Sequence, residues 1–287
     1  MRSVKAPPPP AVPKDLEGSA KAAPTKPAAS EKKESKVGSV PPEQRSVAGL
    51  PLERVDGLGD LPSEIQEQLA KSATILELGE TEEHQGFGAL VVVSGVVDVC
   101  ATIADIPAAM VPAGGIIPAV TSISDVVSLR AVATAKAKVA TWSKQQLEDS
   151  LKSCPWVLEE LVRLGDRLAA LAGVTMGPLG DLDDESRRQT LDRFRVRTLR
   201  PGEVYATKGD ENLGLAVVGG GLIMVGKDEP KTLESGDLVF PDLVLSGSPA
   251  PADAVAGESG ALLLIAARAT TVELFSTFPM MLELLRG

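Results

Sequence analysis

The sequence predicts a mainly β fold with flanking helices, arranged as two tandem jelly-roll-like β-rolls. From about residue 58 the same order of features occurs twice, with matching points 121 to 126 residues apart. A fixed spacing of this kind indicates an internal repeat. Within each copy, short apolar runs follow one another between Gly and Pro turns without intervening helices. That pattern favours a roll or sandwich over a parallel α/β sheet.

The two copies match in four places along the chain, the last of which is Pro155 and Pro279, each after a short amphipathic helix. Each copy has a Gly-Asp-Leu lead-in before a short helix and strand, then two apolar strands around a small turn, then a glycine turn. The matching segments are GDLPSEIQEQLAKSATILEL (59–78) with GDLDDESRRQTLDRFRVRTL (180–199), ALVVVSGVVDV (89–99) with LAVVGGGLIMV (215–225), and PAGGII (112–117) with ESGDLV (234–239).

Helices are expected to close each copy. In copy one, residues 143–151 begin with Ser143, a good N-cap, and residues 156–173 place apolar side chains at helical spacing and end at Gly173, a good C-cap. This apolar stripe predicts core or inter-domain packing. In copy two the closing helix is expected to be truncated, since the sequence ends eight residues after Pro279.

The composition and the internal repeat together divide the chain into a tail and two β-rolls. Residues 1–50 contain nine of the 22 prolines and no aromatic residue, which is typical of a disordered tail. The stretch APPPPAVP within it could bind an SH3-like or WW-like domain, or could be a plain spacer. The first β-roll is predicted for residues 58–175 and the second for residues 178–287.

Charge and apolar patterning exclude several classes of function. The chain carries −10, and because residues 1–45 carry +4, the remainder carries −14 and repels nucleic acid. The two cysteines, Cys100 and Cys154, are too few for a disulfide framework. The N-terminus has no signal-peptide pattern, and the most apolar stretch, 89–120, is interrupted by charges, prolines and glycines. We predict a cytoplasmic protein without membrane insertion.

Enzyme chemistry finds little support in the sequence. The single histidine, His84, is expected in an exposed loop, and a metal site of the cupin type needs several histidines. An acidic cluster, Asp181 to Glu185, is explained by the start of a helix. The run Gly219-Gly220-Gly221 lacks the following Lys of a phosphate loop, so we predict a tight turn between strands. No catalytic residue, metal or cofactor is predicted.

Copy two resembles the cyclic nucleotide-binding domain family, which includes catabolite-activator-type regulators and regulatory subunits of cyclic-AMP-dependent kinase. The resemblance implies a β-roll of the cyclic nucleotide-binding type flanked by helices, and it extends to copy one through the repeat. It rests on RTLRPGEVYATKGDENLGLAVVGGGLIMV (197–225), ESGDLVFPDLVLSGSPAPADAV (234–255) and ALLLIAAR (261–268).

The resemblance also places a phosphate-binding cassette in copy two. Members of the family hold the cyclic phosphate with F-G-E and then, seven to nine residues later, R-[STA]-A. Here the aligned residues are Phe240-Pro241-Asp242 and Ala250-Pro251-Ala252, and no Arg occurs between Pro201 and Ala267. Pro241 removes an N–H donor, and Ala250 cannot pair with an anion. Loss of the Arg alone predicts binding about ten- to a hundredfold weaker.

Copy one departs from the cassette in the opposite way. Arg130-Ala131 stands where the family has its Arg, whereas Ile117-Pro118-Ala119 replaces F-G-E. Arg130 could capture a phosphate, or it could be an ordinary ion-pair residue beside a roll. The candidate ligand-binding residues are therefore Arg130, Gly236, Asp237, Phe240 and Asp242.

Two functional hypotheses follow. The first is a non-enzymatic regulatory or scaffolding protein that binds another protein through degenerate cyclic-nucleotide-binding-like domains. The alternative is a receptor in which at least one copy binds cAMP, cGMP or a similar small anion and moves its closing helices. A helix-turn-helix after the second roll, as in catabolite activators, has no room before Gly287, so no DNA-binding role is expected.

Overall fold

In a computed structural model, which describes residues 42–211 and 213–284, the chain forms two antiparallel β-rolls joined by one long helix. The predicted fold class, mainly β with flanking helices, is confirmed. All described residues belong to one compact unit. No described helix has both the length and the apolar character needed to cross a membrane.

Secondary structure is present before residue 50. A 3-10 turn, Pro42–Arg45, leads into a two-stranded ribbon of β1 (Ser46–Val47) and β2 (Leu50–Pro51), and a second 3-10 turn covers Leu52–Arg54. These residues differ from the predicted disorder because Val47 and Leu52 reach an apolar cluster and are buried there. Residues 1–41 lie outside the described part, and disorder there stays a prediction.

The first roll consists of two four-stranded antiparallel sheets, ordered β3-β10-β5-β8 and β4-β9-β6-β7. The chain passes from one sheet to the other at Gly95, which has a φ of +85°. Its elements are α1 (Ser63–Ser72), β3 (Thr74–Leu78), β4 (Glu83–Gln85), β5 (Ala89–Ser94), β6 (Val96–Ala101), β7 (Pro107–Pro112), β8 (Ile116–Pro118), β9 (Leu129–Ala133) and β10 (Ala137–Trp142).

Two helices follow the first roll. The helix α2 (Lys144–Leu151) begins at Ser143, whose hydroxyl accepts the Gln146 N–H in a capping box, so the predicted N-cap is confirmed. The long helix is α3 (Pro155–Val174). The predicted C-cap at Gly173 is wrong, since α3 continues past it. Glycine is needed there because an added Cβ would lie 1.9 Å from the Gly219 carbonyl oxygen.

The second roll is one six-stranded antiparallel sheet. The predicted turn at Gly219–Gly221 is wrong: one bent strand runs through it and pairs on both sides with the same partner, with register shifts at the bend. The elements are α4 (Asp184–Leu191), β11 (Arg195–Leu199), β12 (Val204–Ala206), β13 (Leu215–Val225), β14 (Lys231–Leu233), β15 (Leu238–Val239), α5 (Pro241–Ser246), β16 (Ala254–Ala266), α6 (Arg268–Thr277) and α7 (Met280–Leu284).

The helix α3 joins the cores of both rolls. Its first half buries Val157 and Leu161 in a cluster with Trp142 of roll one. Its second half buries Leu168 and Leu171 in a cluster that contains side chains from the interior of both rolls. The apolar stripe predicted from the sequence therefore packs in the cores of both rolls.

Candidate functional site

In roll two, Gly236 and Asp237 form the turn between β14 and β15. Gly236 has a φ of +96°, and an added Cβ would lie 2.5 Å from the Gly177 nitrogen. The Asp237 carboxylate accepts the backbone N–H of Glu234 at 2.8 Å and so closes the turn. Both residues therefore act in the packing of this turn against the segment that follows α3.

The F-G-E position of roll two starts a short helix. Phe240 adopts the left-handed conformation, with a φ of +52°, and Pro241 is the first residue of α5. Since proline has no N–H, this position offers no donor to an anion. Asp242 lies in the first turn of α5 and is exposed. A carboxylate there can accept hydrogen bonds, but it repels a phosphate.

The position of the family arginine is occupied by a buried alanine. Ala250 is 3% exposed, and its backbone N–H donates to the Asp210 carbonyl oxygen at 2.8 Å. Its carbonyl oxygen accepts the Gly209 N–H at 2.8 Å. Both backbone groups of Ala250 are thus used within the roll, and its side chain supplies no countercharge.

A cation that the sequence analysis missed lies beside this loop. Arg268, the first residue of α6, is half-buried, and a Cβ added at Gly247 would lie 2.6 Å from its Nη2 atom. Gly247 ends α5 in the left-handed conformation, with a φ of +69°. Within residues 42–211 and 213–284, the Arg268 guanidinium makes no hydrogen bond or ion pair. The motif gave no signal for it, since it follows the last strand of the roll.

In roll one, Arg130 is committed to internal partners. It lies on β9 with its side chain 11% exposed, and it forms ion pairs with Glu83 and Asp105. Its Nε donates to the Ala101 carbonyl oxygen at 3.2 Å, and its Nη2 donates to the Ala104 carbonyl oxygen at 3.1 Å. Burial alone would lower the pKa of Arg130, but the hydrogen bonds to the two carboxylates raise it. The guanidinium acts as an internal clamp.

The segment of roll one that corresponds to the cassette forms no helix and lies against roll two. This connecting loop, residues 119–128, is held by Asp166 of α3, whose carboxylate accepts the Ser122 N–H at 2.8 Å and the Ser122 hydroxyl at 2.6 Å. The same carboxylate accepts the hydroxyl of Thr198 in roll two at 3.3 Å. The N–H of Gly221 in roll two donates to the Asp125 carbonyl oxygen at 2.6 Å.

A cleft of about 950 Å³ lies between this loop and roll two. Its walls combine apolar groups, hydroxyls and charges of both signs from the two rolls. Residues that line it include Phe87, Lys144, Thr198, Arg200, Glu258 and Ser259. Arg130 and the four candidate residues of roll two are not among its lining residues, so this cleft is not formed by the sequence-predicted residues.

The single histidine differs from its predicted place in an exposed loop. His84 lies on β4, half-buried, and its ring stacks on Phe87 at 5.9 Å between centroids. Burial lowers its pKa. The acidic cluster caps α4 as predicted, with the Asp183 carboxylate accepting the Ser186 N–H at 3.0 Å. Among the residues in the described ranges, no three His, Cys, Asp or Glu side chains are grouped to hold a metal ion.

Comparison with known proteins finds similarity in solved structures. No family model and no curated protein matches the sequence. The regulatory domain of Toxoplasma gondii PKA with cAMP is 14% identical with a TM-score of 0.35, over 81% of this chain and 92% of that one. The regulatory subunit of a cAMP-independent protein kinase A from Trypanosoma brucei is 17% identical with a TM-score of 0.35, over 81% and 87%.

The catabolite activator protein of Thermus thermophilus is 23% identical with a TM-score of 0.35, over 38% of this chain and 55% of that one. These structural neighbours are of the same kind as the family that the sequence motifs resemble. Two of them cover about four fifths of this chain, and the third covers less than half of it. Similarity of this degree assigns neither a ligand nor a partner to this chain.

Proposed function

We propose that the chain is a non-enzymatic regulatory or scaffolding protein whose two β-rolls act by binding another protein. The observation that carries this proposal is the engagement of Arg130, the one family-position arginine, with Glu83 and Asp105. A phosphate would have to displace two carboxylates and two carbonyl oxygens from a side chain that is 11% exposed. A hydrogen bond to a charged group contributes about 1.5–3 kcal/mol when it is shielded from water, and less at the exposed Asp105.

Roll two supports the proposal in a different way. The cassette offers Pro241 without an N–H and the buried side chain of Ala250 in place of a guanidinium. The folded part of the chain is strongly acidic, which favours a partner other than nucleic acid. Cys100 and Cys154 are free and buried, which is compatible with the reducing cytoplasm that we propose as its location.

Calorimetric titration with cAMP, cGMP and cyclic dinucleotides tests the proposal. We expect no heat at micromolar ligand concentrations with the intact chain. Heat in the micromolar range that disappears in Arg130→Ala, while circular dichroism shows the variant folded, would establish roll one as a receptor and overturn the proposal. A stoichiometric protein partner that elutes together with the chain in size-exclusion chromatography would support it.

Arg268 favours a second candidate function, a receptor for a small anion in roll two. Its half-buried guanidinium faces the loop at Gly247 and has no ionic partner among the described residues. It is thus a possible source of the countercharge that Ala250 lacks. The same titrations with Arg268→Ala and Arg54→Ala separate the cases. Heat that is lost only in Arg268→Ala would favour this receptor.

A further inference from the structure

A second groove lies between the two rolls, on the outer face of the first. It encloses about 310 Å³ between strands β6 and β7 of roll one and the helix α4 of roll two. We call it the α4 groove. Its apolar wall is formed by Val96, Pro107, Ala109 and Met110. Met110 is 50% exposed, although its side chain is large and apolar.

One carboxylate in the α4 groove has no partner. Asp98 lies on β6 directly opposite Met110 on β7 and is half-buried. Within the described ranges its carboxylate makes no hydrogen bond and no ion pair. A carboxylate between apolar walls loses part of its hydration, so it gains from a cationic partner.

The other charges facing Asp98 come from α4, and they already have partners. Arg187 is 4% exposed, pairs with Asp184, and donates to the carbonyl oxygens of Leu182 at 2.8 Å and Pro107 at 3.3 Å. Arg188 pairs with Glu185. Neither arginine reaches Asp98 within ion-pair distance, so the groove carries one uncompensated negative charge.

The pKa of Asp98 agrees with a carboxylate that has no ion-pair partner in the groove. Burial raises the pKa of Asp98, and the neighbouring Asp184 raises it further, whereas Arg188 lowers it in part. A carboxylate in such surroundings loses its proton less readily than one in water, until a cation approaches. A bound cation would therefore lower the pKa of Asp98 and release a proton from the fraction that is protonated.

We propose that the α4 groove receives a lysine side chain of the partner protein, with its methylene stem against Met110 and Pro107 and its ammonium group at Asp98. This inference rests on the proposed protein-binding function. Lysine fits because it combines an apolar stem with a compact charge that has three donors, and because a single carboxylate is available in the groove. An anion or a purely apolar side chain would leave Asp98 either repelled or buried without a partner.

The probe for this proposal is n-pentylammonium, which reproduces a lysine side chain without its backbone. The chain has six methionines, so [methyl-13C]methionine labelling gives few signals, and Met110→Leu identifies that of Met110. We expect n-pentylammonium to shift the Met110 methyl signal in a saturable way. In Asp98→Asn the affinity should fall about ten- to a hundredfold, the effect of losing a charge-assisted bond.

Matched controls make the result specific. Asp228→Asn removes one exposed carboxylate in the β13–β14 connection and should leave the affinity unchanged. The affinity should also weaken as the pH falls through the pKa of Asp98. Three outcomes would each overturn the lysine site. The first is an equal response to n-pentanol, and the second is tighter binding of n-pentylguanidinium. The third is unchanged affinity for n-pentylammonium in Asp98→Asn, provided that the other methionine signals of this variant keep their positions and so show it to be folded.

The failure of this site can be told from failure of the proposed function. Heat with a cyclic nucleotide, together with an intact n-pentylammonium response, would end the scaffolding proposal and leave the cation site. No heat with any cyclic nucleotide, together with no shift of the Met110 signal, would end the cation site alone.

Discussion

The Arg130 guanidinium has four internal acceptors, the carboxylates of Glu83 and Asp105 and the carbonyl oxygens of Ala101 and Ala104. The Asp105 side chain is 98% exposed, so its ion pair adds little to stability in water. When Arg130 is replaced, the Ala104 carbonyl oxygen loses this donor, whereas the Ala101 carbonyl oxygen keeps the Ala104 N–H at 3.2 Å. The hydrogen bonds of the Arg130 guanidinium therefore stabilise the folded state of roll one.

Arg130→Met keeps most of the aliphatic volume and removes the donors. We expect it to lower the free energy of unfolding by about 1–3 kcal/mol, because the hydrogen bonds of the guanidinium are lost and the Ala104 carbonyl oxygen is left without this donor. Urea unfolding followed by the fluorescence of the buried Trp142 measures this loss. Arg54→Met, at an exposed arginine, is the control and should change stability by less than about 0.5 kcal/mol. Equal effects in the two variants would contradict the clamp.

The environment of Asp98 predicts how the stability of the folded chain depends on pH. Its pKa is raised in the folded state, so folding favours the protonated form. The stability it contributes is present below the unfolded pKa, about 3.9, and is lost as the pH rises through the folded value. Asp98→Asn does not titrate, so at pH 7 it should have a higher Tm than the parent chain. That difference should shrink towards zero as the pH approaches about 4.

Thermal unfolding of both chains between pH 4 and pH 8 tests whether Asp98→Asn has the higher Tm at neutral pH. The control Asp228→Asn, at an exposed aspartate, should show no such pH-dependent difference. A lower Tm of Asp98→Asn at pH 7 would mean that the Asp98 carboxylate has a stabilising partner in the folded chain. A gain that persists at the acidic end would mean that it does not come from removing the charge, which would also contradict the prediction.

Single residues were predictable where a residue type forbids a role. Pro241 cannot donate an N–H and Ala250 cannot pair with an anion, whatever the surrounding structure. The roles of Gly236 and Asp237 were not predictable, because the motif gives residue types and the role depends on the contact with Gly177. Arg268 was missed for the same reason, since its proximity to Gly247 is created only by the folded chain.

At the scale of elements, α3 depends on glycines inside it. Two α-helical glycines, Gly165 and Gly173, face backbone atoms so closely that an added Cβ would overlap them, with Val120 O at 2.0 Å and Gly219 O at 1.9 Å. A glycine inside a helix normally costs about 1 kcal/mol relative to alanine. Here the cost is offset by close packing of the helix on both rolls.

Gly173→Ala tests whether packing outweighs helix propensity. The substitution should lower the free energy of unfolding by about 1–3 kcal/mol, because β13 has to move away from α3. Chemical denaturation measures it, with Glu159→Ala on the exposed side of the same helix as the control. A gain of about 1 kcal/mol in Gly173→Ala would show that the close approach to Gly219 does not constrain the helix.

Helices and short strands were predictable from local pattern, and β13 shows where local pattern fails. LAVVGGGLIMV has apolar runs on both sides of three glycines, which favours two strands and a turn. The chain forms one strand because β16 is long enough to pair with both halves, from Leu215 with Ala266 to Val225 with Ala254. Whether the three glycines form a turn or a bend therefore depends on pairing with β16, a strand far along the chain.

At the scale of the whole molecule, the repeat predicted two similar rolls but not their contact. The rolls meet through α3, through Arg187 of α4 donating to the Pro107 carbonyl oxygen, and through the loop 119–128 lying on roll two. Each of these contacts joins residues from different copies, so the pattern within a single copy has no signal for them. The loop that would hold a phosphate in the resembling family is thereby part of an interface within the chain.

Asp166 is the residue that ties this interface together, because its buried carboxylate accepts donors from both sides of it: the Ser122 N–H and hydroxyl from the loop 119–128, and the Thr198 hydroxyl from roll two. Asp166→Asn keeps the shape but replaces one acceptor oxygen by a donor NH2 group. We expect a loss of about 1–3 kcal/mol in the free energy of unfolding.

We also expect the Gly221 amide to exchange its hydrogen faster in Asp166→Asn, since its acceptor, the Asp125 carbonyl oxygen, belongs to the same loop. Amide hydrogen exchange by NMR reads this single site. Asp149→Asn, exposed on α2, is the control and should leave the exchange of Gly221 unchanged. If Asp166→Asn lost stability while Gly221 kept its full protection, the loop would be held on roll two by its own contacts, and Asp166 would act only within roll one.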